Sequence, residues 1–473
     1  MNHSTPCKGT AMALLVSALC GCGAMAPDYT RPATPVPTGF PAAAVPTAGT
    51  APAAPQASDL PWQAFFGDAA LKDCIRIALD NNRDLRVALL NVEQSRALVD
   101  VRKADAWPTV NAGLGLTRQT TSSGSVSSNY TAGLLVTSYE VDLFDRLRSQ
   151  SDAAFAQYLA TREAARAVQI SLVGAVASAY YALQTDRQLL QLAQATQKTR
   201  EGSLQLIRLR FDNGASSQLD LSQAQSLLES ARVAVAQLSR QRLQDENALA
   251  LLLGQASALP AGPDSAGPAE TQFAALPPAL SSDVLLRRPD VLQAEQQLIA
   301  ANANIGAARA AFFPRITLTG SLGSTSSEFE NLFKSGTFAW SVIPQLLLPI
   351  FDAGRNQANL KSVEAARSVA LAQYEKAIQS AFREVADALA ARSTLQSQRE
   401  AQTAQTAAEA VRAQLTDLRY ANGASSYLEV LDAQRSLFAA QQADLQLRGL
   451  LLQNAAALYR VLGGGWSATP APP

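Results

Sequence analysis

The sequence carries one turn and the start of one helix twice. LRFDNGASSQLDLSQAQ begins at Leu209, and LRYANGASSYLEVLDAQ begins at Leu418, 209 positions later (418 − 209). Upstream, the segment from Asp84 aligns with the segment from Asp290 at a spacing of 206 positions (290 − 84). A chain that repeats itself in this way contains two copies of one structural unit. We therefore predict two tandem repeats, over residues 60–260 and 261–465, which either fold separately or interleave.

Two stretches are too long to be helices of a compact domain. Residues 356–422 contain neither glycine nor proline, and residues 146–213 contain no proline. At 1.5 Å per residue, each stretch predicts a helix of roughly 100 Å. Such helices need lateral partners, and their many alanines permit close approach in a coiled-coil-like wall. A fibrous coiled coil is the alternative, but it would not need the strands described next.

Polar or small residues alternate with apolar ones in two places, which is typical of β-strands. The pattern predicts one β-hairpin at about 108–143 and a second at about 314–350. Strands of ten residues or more are long enough to cross a membrane when tilted. Four strands cannot close a membrane barrel, whereas three copies of the chain would supply twelve. Two soluble hairpins packed face to face are the alternative, but no segment remains to cover their apolar faces.

The N-terminus has the pattern of a bacterial export signal. Lys8 precedes the apolar run AMALLVSALCGC, which is too short to span a bilayer as a helix. The run ends in a sequence that resembles a lipoprotein box, so we predict a signal peptide over residues 1–21 and acylation of Cys22. Cys20 is a rival acceptor, and a plain secretory signal is a further alternative. Gly23 replaces the aspartate typical of inner-membrane retention, which favours the outer membrane. Residues 22–59, rich in Pro, Ala and Thr, are interpreted as a lipidated strap.

Composition argues against an enzyme and against a nucleic-acid partner. The 39 basic and 39 acidic residues cancel, and no polybasic run occurs. The one histidine, His3, lies in the predicted signal peptide, so the mature chain has no imidazole for catalysis or metal binding. No phosphate-binding glycine loop is present. We therefore expect no catalytic residue, no metal site and no cofactor other than a lipid on Cys22. Cys74 would be the single remaining thiol.

At this point the chain resembles the outer-membrane efflux proteins, and specifically the TolC-like lipoprotein branch that serves resistance-nodulation-division (RND) pumps. The motifs that carry the resemblance are Cys22 followed by PDYTRP, WQAFFGDAAL from Trp62, LLRRPDV from Leu285, the two NGASS turns, VLDAQ from Val430 and LGGGW near the end. Their order and spacing are specific, and they cover nearly all of the mature chain. We interpret Arg287, Arg288 and Asp290 of LLRRPDV as structural capping and ion pairing, with Pro289 in a first helical turn.

The resemblance implies an α+β membrane protein. In the family, a homotrimer forms a twelve-stranded transmembrane β-barrel, with four strands per chain, continuous with a long periplasmic α-helical barrel. An equatorial collar would draw on residues 256–282 and on the C-terminal tail, residues 466–473. The implied partners are outer-membrane lipid, a periplasmic adaptor (membrane fusion) protein and an inner-membrane RND transporter.

The resemblance also implies where a gate lies. The tip turns, at about 211–219 and 420–428, would lie at the far periplasmic end, where Asn213, Gly214, Asn422 and Gly423 would contact the adaptor. Carboxylates at the positions of Asp220, Glu429 and Asp432 line the constriction in the family, and aromatic residues at the positions of Phe211 and Tyr420 help to hold the tip shut. Ser425 stands where some relatives carry an arginine, so we expect no charge-paired lock at that position.

Three copies would place about nine carboxylates round one axis, so we expect some raised pKa values or bound cations there. The alternative is that these acids only complement helix N-termini. The function predicted is a passive exit duct, in the outer membrane, of a tripartite RND-type efflux system that conducts drugs or other small molecules. A duct for type I protein secretion and a lipid-anchored structural coiled-coil protein are the alternatives.

Overall fold

The structure is a computed structural model that describes residues 25–40, 61–120, 122, 124–255 and 281–464. The predicted signal peptide, Cys22, most of the strap, residues 256–280 of the collar and the C-terminal tail lie outside the described residues. The elements, in chain order, are α1 (Trp62–Phe65), α2 (Ala69–Asn81), α3 (Arg83–Ala104), β1 (Val110–Thr120), β2 (Val126–Val141), α4 (Arg146–Asp212), α5 (Gln218–Leu253), α6 (Pro289–Ala310), β3 (Arg315–Ser326), β4 (Phe338–Leu347), α7 (Arg355–Ala421) and α8 (Tyr427–Val461).

The two long helices are confirmed. α4 and α7 each contain 67 residues, which corresponds to roughly 100 Å at 1.5 Å per residue. α4 also holds the one window among the described helices that is apolar enough to cross a membrane, and half of that window is buried inside the protein. Burial inside the protein therefore accounts for part of its hydrophobicity.

The chain divides into two compact units, and each takes residues from both predicted repeats. The first unit comprises residues 1–33, 90–163 and 292–376, and the second comprises residues 34–89, 164–291 and 377–473. The first unit contains the strands, and the second contains the tip turns.

The first unit is built round a single antiparallel sheet in the order β1-β2-β3-β4. β1 pairs with β2 and β3 pairs with β4 at the positions expected for the two hairpins. The hairpins are joined because β2 also pairs with β3, with Gly133 opposite Gly323. β2 begins at Val126, five residues before the segment from Thr131 that its apolar alternation marks.

One face of this sheet is apolar and exposed. The register places Ala112, Leu134, Leu322 and Trp340 in one row across the four strands. The same face includes Leu114, which is 77% exposed. The other face carries polar groups, such as Ser321 and Ser341, whose hydroxyl oxygens lie 2.7 Å apart. No described segment covers the apolar face, so two hairpins packed against each other are not what the chain forms.

Residues 25–33 are fixed to α6 within the same unit. Arg31 donates from Nε and Nη2 to the two carboxylate oxygens of Glu295, at 2.6 and 2.7 Å, and the Tyr29 hydroxyl donates to Oε1 of the same group at 3.1 Å. Asn302 donates to the carbonyl of Pro27 at 2.6 Å, and Arg309 to that of Met25 at 3.4 Å. Paired carboxylate contacts of this kind are geometrically specific, so this part of the strap has one defined position.

The second unit has an apolar core made from α1, α2, α4, α5 and α8. Its members include Phe66, Leu71, Val176, Leu249 and Tyr459, all at most 4% exposed. Cys74 is free and buried in this core, and burial raises the pKa of its thiol to about 11.

The ion pairing predicted for LLRRPDV is confirmed in this unit. Arg288 is buried and donates to both carboxylate oxygens of Asp290, at 3.0 and 2.6 Å, to Glu384 at 2.9 Å and to the carbonyl of Val461 at 2.6 Å. Arg287 ends the 3-10 turn that precedes α6. A guanidinium with this many partners joins three segments that are distant in sequence.

Candidate gate at the helical tips

The two NGASS turns have the same backbone geometry. Gly214 and Gly423 lie in the left-handed region, with φ of 71° and 73°, where glycine carries no steric penalty. In the first turn, the amide of Gly214 donates to the carbonyl of Phe211 at 2.9 Å and that of Ala215 to the carbonyl of Arg210 at 2.7 Å. The second turn repeats both bonds 209 positions later. This pattern is the Schellman motif, which ends α4 and α7 and reverses the chain.

The asparagines of these turns are structural as well as exposed. Asn213 donates from its side chain to the carbonyl of Leu209, and Asn422 to that of Leu418, both at 2.7 Å. Each of these carbonyls also accepts from the backbone amide of the same asparagine at 3.2 Å, so the side-chain bond is a second bond that fixes the turn to the end of its helix. The four residues predicted to contact an adaptor, including Gly214 and Gly423, are all exposed, so they are accessible in one chain.

Asp220 and Glu429 cap the helices that follow. Ser217 accepts from the amide of Asp220 at 3.1 Å, and its own amide and hydroxyl donate to the Asp220 carboxylate at 3.1 and 2.7 Å. Ser426 and Glu429 form the same capping box at 3.2–3.4 Å. Each box satisfies two amides at the helix start that have no partner within the helix. In one chain, the carboxylates therefore have the helix-capping role that the sequence left as an alternative.

These hydrogen bonds hold the pKa of both carboxyls below the usual range. For Asp220 the cause is the Ser217 hydroxyl and then the Ser217 amide, and for Glu429 it is the Ser426 amide and then its hydroxyl. Because the folded-state pKa is lowered, each cap stabilises the turn above the ordinary carboxyl pKa and loses this effect as the pH falls through the lowered value. The raised values expected for a ring of carboxylates would have to come from neighbouring copies of the chain.

Asp432 is not an isolated gate carboxylate, because it forms an ion pair with Arg412 of α7. Arg412 also donates to Glu409, one turn earlier, at 3.1 Å. Both side chains of the Asp432 pair are exposed, so the pair is worth under about 1 kcal/mol in one chain. A charge-paired contact thus exists at the tip, but its cation comes from α7, while the hydroxyl of Ser425 donates to the carbonyl of Ser426.

Tyr420 joins the two hairpins. Arg210 donates from Nη1 to the Tyr420 hydroxyl at 2.9 Å, and its guanidinium carbon lies 5.2 Å from the centre of the ring. The Tyr420 ring also contacts the ring of Tyr427, with centroids 5.5 Å apart. Tyr427 is buried against Ile207 of α4, and this burial raises the pKa of its hydroxyl to about 12. An aromatic and cationic cluster therefore holds the first hairpin against the second.

The structure brings the predicted tip residues to two equivalent turns but also adds residues that the sequence reasoning missed. Arg210, Arg412 and Tyr427 carry the contacts that Tyr420 and Asp432 make. The signal for Arg210 was present, because LR occupies the same place before both NGASS turns. Among the described residues, no three His, Cys, Asp or Glu side chains are grouped so as to hold a metal ion.

Comparison with known proteins identifies the family. The sequence profile of the outer membrane efflux protein family matches residues 74–255 and 280–464. The toluene efflux pump outer membrane protein TtgF of Pseudomonas putida is 44% identical over 460 residues, which are 95% of each chain. The probable outer membrane lipoprotein SilC of Salmonella typhimurium is 43% identical over 450 residues, 95% of this chain and 96% of that protein.

A solved structure shares the fold. The open state of the Neisseria gonorrhoeae MtrE outer membrane channel superposes with a TM-score of 0.84 and 40% identity, covering 94% of this chain and 98% of that one. The chain belongs to the outer membrane efflux protein family, which confirms at that level the function and the outer-membrane location predicted from its sequence.

Proposed function

We propose that three copies of this chain form a passive exit duct of a tripartite RND-type efflux system. The observation that carries the proposal is the four-stranded sheet. Its apolar face is exposed, with Trp340 69% and Phe338 68% accessible, and no described strand pairs with the outer edges of β1 or β4. Unpaired edges in a membrane are costly, so membrane sheets close into barrels. Three copies supply twelve strands, with β4 of each copy beside β1 of the next.

The helices supply the periplasmic part of this proposal. Two hairpins per chain, α4 with α5 and α7 with α8, would give six hairpins round a threefold axis. The NGASS turns would form the periplasmic end, where a periplasmic adaptor protein docks on the exposed turn residues and links the duct to an inner-membrane transporter. The duct itself would perform no chemistry, since the transporter supplies the energy.

The names of the relatives support one class of cargo. TtgF is described as part of a toluene efflux pump, which supports small organic molecules as cargo for this chain and not the polypeptides of type I secretion. A purely structural coiled-coil role is not supported, because it gives the exposed apolar sheet no purpose. The lining of a duct of this kind would carry little recognition of its own.

Neutralising the gate carboxylates is expected to change ion conduction. In planar bilayers, the wild-type trimer should give small, cation-preferring currents, because several carboxylates surround the axis. The double variant Glu429→Gln and Asp432→Asn removes two negative charges, one of them the partner of Arg412, whereas glutamine can still close the capping box. We therefore expect a several-fold larger conductance and a loss of cation preference. Single-channel recordings with reversal potentials in a salt gradient measure both.

The matched control is Asp444→Asn, a carboxylate of the same helix that accepts from Thr403 at 2.9 Å, more than three turns from Glu429. It should leave conductance and selectivity unchanged. An unaltered selectivity in the double variant would remove these residues from the gate, while a verified trimer without conductance would contradict the duct itself.

We also propose that the chain is lipidated at Cys22. Three residues span at most about 10 Å, so the lipid would lie close to Met25, whose carbonyl accepts from Arg309 near the end of α6. β3 begins at Arg315, five residues after that helix. A lipid there would enter the membrane beside the periplasmic end of the strands. The description of SilC as a probable outer membrane lipoprotein is consistent with this anchor.

Metabolic labelling with a radioactive fatty acid tests the anchor. We expect label in the wild type and in Cys20→Ser, and none in Cys22→Ser, because acylation needs the thiol. Label that disappears in Cys20→Ser and persists in Cys22→Ser would assign the rival cysteine. An unlabelled wild-type protein would instead support an ordinary secretory signal.

A further inference from the structure

The repeated tip motif places an arginine and an aromatic residue next to each other twice. Arg210 and Phe211 end the first long helix, and Arg419 and Tyr420 occupy the equivalent positions 209 residues later. The arginine of one motif could contact the aromatic ring of the other in two ways, as Arg210 with Tyr420 or as Arg419 with Phe211. Among the residues that the structure describes, only the contact of Arg210 with Tyr420 forms within a chain. The contact runs from the first hairpin to the second.

The other two members are left over in a single chain. Arg419 is exposed, and its guanidinium donates to the carbonyl of Ala424 in its own turn at 3.2 Å. Phe211 is half-buried, and neither side chain makes a ring contact with another residue that the structure describes. Arg419 corresponds to Arg210, and Phe211 corresponds to Tyr420. Both side chains are thus available to a neighbouring copy.

We propose that Arg419 of one copy lies over Phe211 of the next copy at the closed tip. This inference rests on the proposed ring of three chains. In such a ring, first and second hairpins alternate, and we call each interface between neighbouring hairpins a seam. One kind of seam joins the first hairpin to the second within a chain, and the other joins the second hairpin of one chain to the first hairpin of the next. The contact of Arg210 with Tyr420 is then the template, and its equivalent joins Arg419 to Phe211 of a second copy.

The two seams differ in a way that gives this pair a role. Phe211 has no hydroxyl, so the seam between copies keeps the interaction of the cation with the ring and loses the hydrogen bond. Within a chain, Tyr427 and Leu431 are buried in the seam. Their equivalents in the first hairpin, Gln218 and Ser222, are polar.

A second pair of positions points in the same direction. Arg200 lies over the Phe438 ring at 5.2 Å inside the chain. The equivalent positions, 209 residues later and earlier, are Glu409 and Glu229. Each of these carboxylates is paired within its own chain with the arginine three residues later, Arg412 or Arg232, so this position has no contact of a cation with a ring between copies. The interface between copies would therefore lack two contacts that the interface within a chain has, the Arg200–Phe438 ring contact and the hydrogen bond to the Tyr420 hydroxyl. We expect the tip to open between copies while each chain's two hairpins stay together.

Photo-crosslinking separates the two seams. p-Benzoylphenylalanine is placed at Phe211 in one variant and at Tyr420 in the other, in the full-length protein in membranes. We expect irradiation at position 211 to give a heat-resistant dimer, with the crosslinked peptide containing Arg419. The matched variant at position 420 should give a chain of monomer mobility, internally linked to the peptide that contains Arg210.

The crosslinked products and the gel mobility test the pairing and the ring separately. A product at position 211 that lies within one chain, or that omits the Arg419 peptide while the unheated protein still migrates as a trimer, overturns the pairing and leaves the duct intact. An unheated protein that migrates as a monomer overturns the ring, and with it the proposed function.

A functional readout tests the same pair without a probe. Phe211→Tyr restores the missing hydroxyl, so the bilayer conductance of the closed-like state should fall below that of the wild type. Phe211→Leu keeps an apolar side chain but removes the ring, and its conductance should rise. Equal conductance in both variants, with trimers intact, would contradict a role of this ring in closure.

Discussion

Replacement of Gly133 by alanine is expected to abolish assembly of the outer-membrane trimer. A Cβ atom at this position would lie 2.3 Å from the carbonyl oxygen of Leu322 and 2.6 Å from the Cα of Gly323. Both atoms belong to the backbone of β3, so no side-chain rotation can relieve the clash. We expect a cost of roughly 3 kcal/mol or more, because β2 must separate from β3, and this pairing joins the two hairpins of each chain.

The control is Gly320→Ala in β3. Its Cβ would meet nothing closer than the Ser341 carbonyl at 3.7 Å and the Val136 Cβ at 4.0 Å, which are ordinary contacts. Both proteins are expressed and their membrane fractions are compared on gels with and without heating. We expect a normal trimer band for the Gly320 variant and little or none for the Gly133 variant. A wild-type amount of trimer in both would show that the β2 and β3 backbones do not approach this closely.

Elements with local signals could be predicted from the sequence. The ends of α4 and α7 follow from the glycines of the NGASS turns, and Gly354 precedes the start of α7. The two capping boxes could also be predicted from the sequence, because Ser217 and Ser426 each stand three residues before an acidic residue. The beginning of β2 was missed because Ser127 and Ser128, its second and third residues, give no apolar alternation.

Contacts between distant residues could not be predicted in the same way. Arg210 and Tyr420 are 210 positions apart and lie in different hairpins, and no propensity or spacing rule links them. The pairing of β2 with β3 likewise joins segments about 190 residues apart. The sequence repeat shows which residues of the two hairpins are equivalent. Only the structure shows which of these residues contact each other. Asp432 illustrates the difference, because its place after Glu429 was readable but its partner Arg412, on α7, was not.

Arg288→Met is expected to destabilise the second unit by about 3–5 kcal/mol. Methionine fills much of the same space but leaves the carbonyl of Val461 without its donor and the carboxylates of Asp290 and Glu384 without their cation. Because Arg288 is only 6% exposed, water cannot easily replace those bonds. Thermal unfolding followed by circular dichroism at the helix band should show a midpoint lowered by roughly 10 °C.

Two further variants show whether the buried network is the cause. Arg76→Met removes an arginine of the same unit that is 67% exposed and pairs only with Asp73 among the residues that the structure describes, so its midpoint should stay close to that of the wild type. Arg288→Lys keeps the charge but not the paired geometry towards Asp290, and it should fall between the wild type and Arg288→Met. If Arg288→Met unfolds at the same temperature as Arg76→Met, Arg288 is not a structural residue. Its burial against three chain segments would then need a functional explanation.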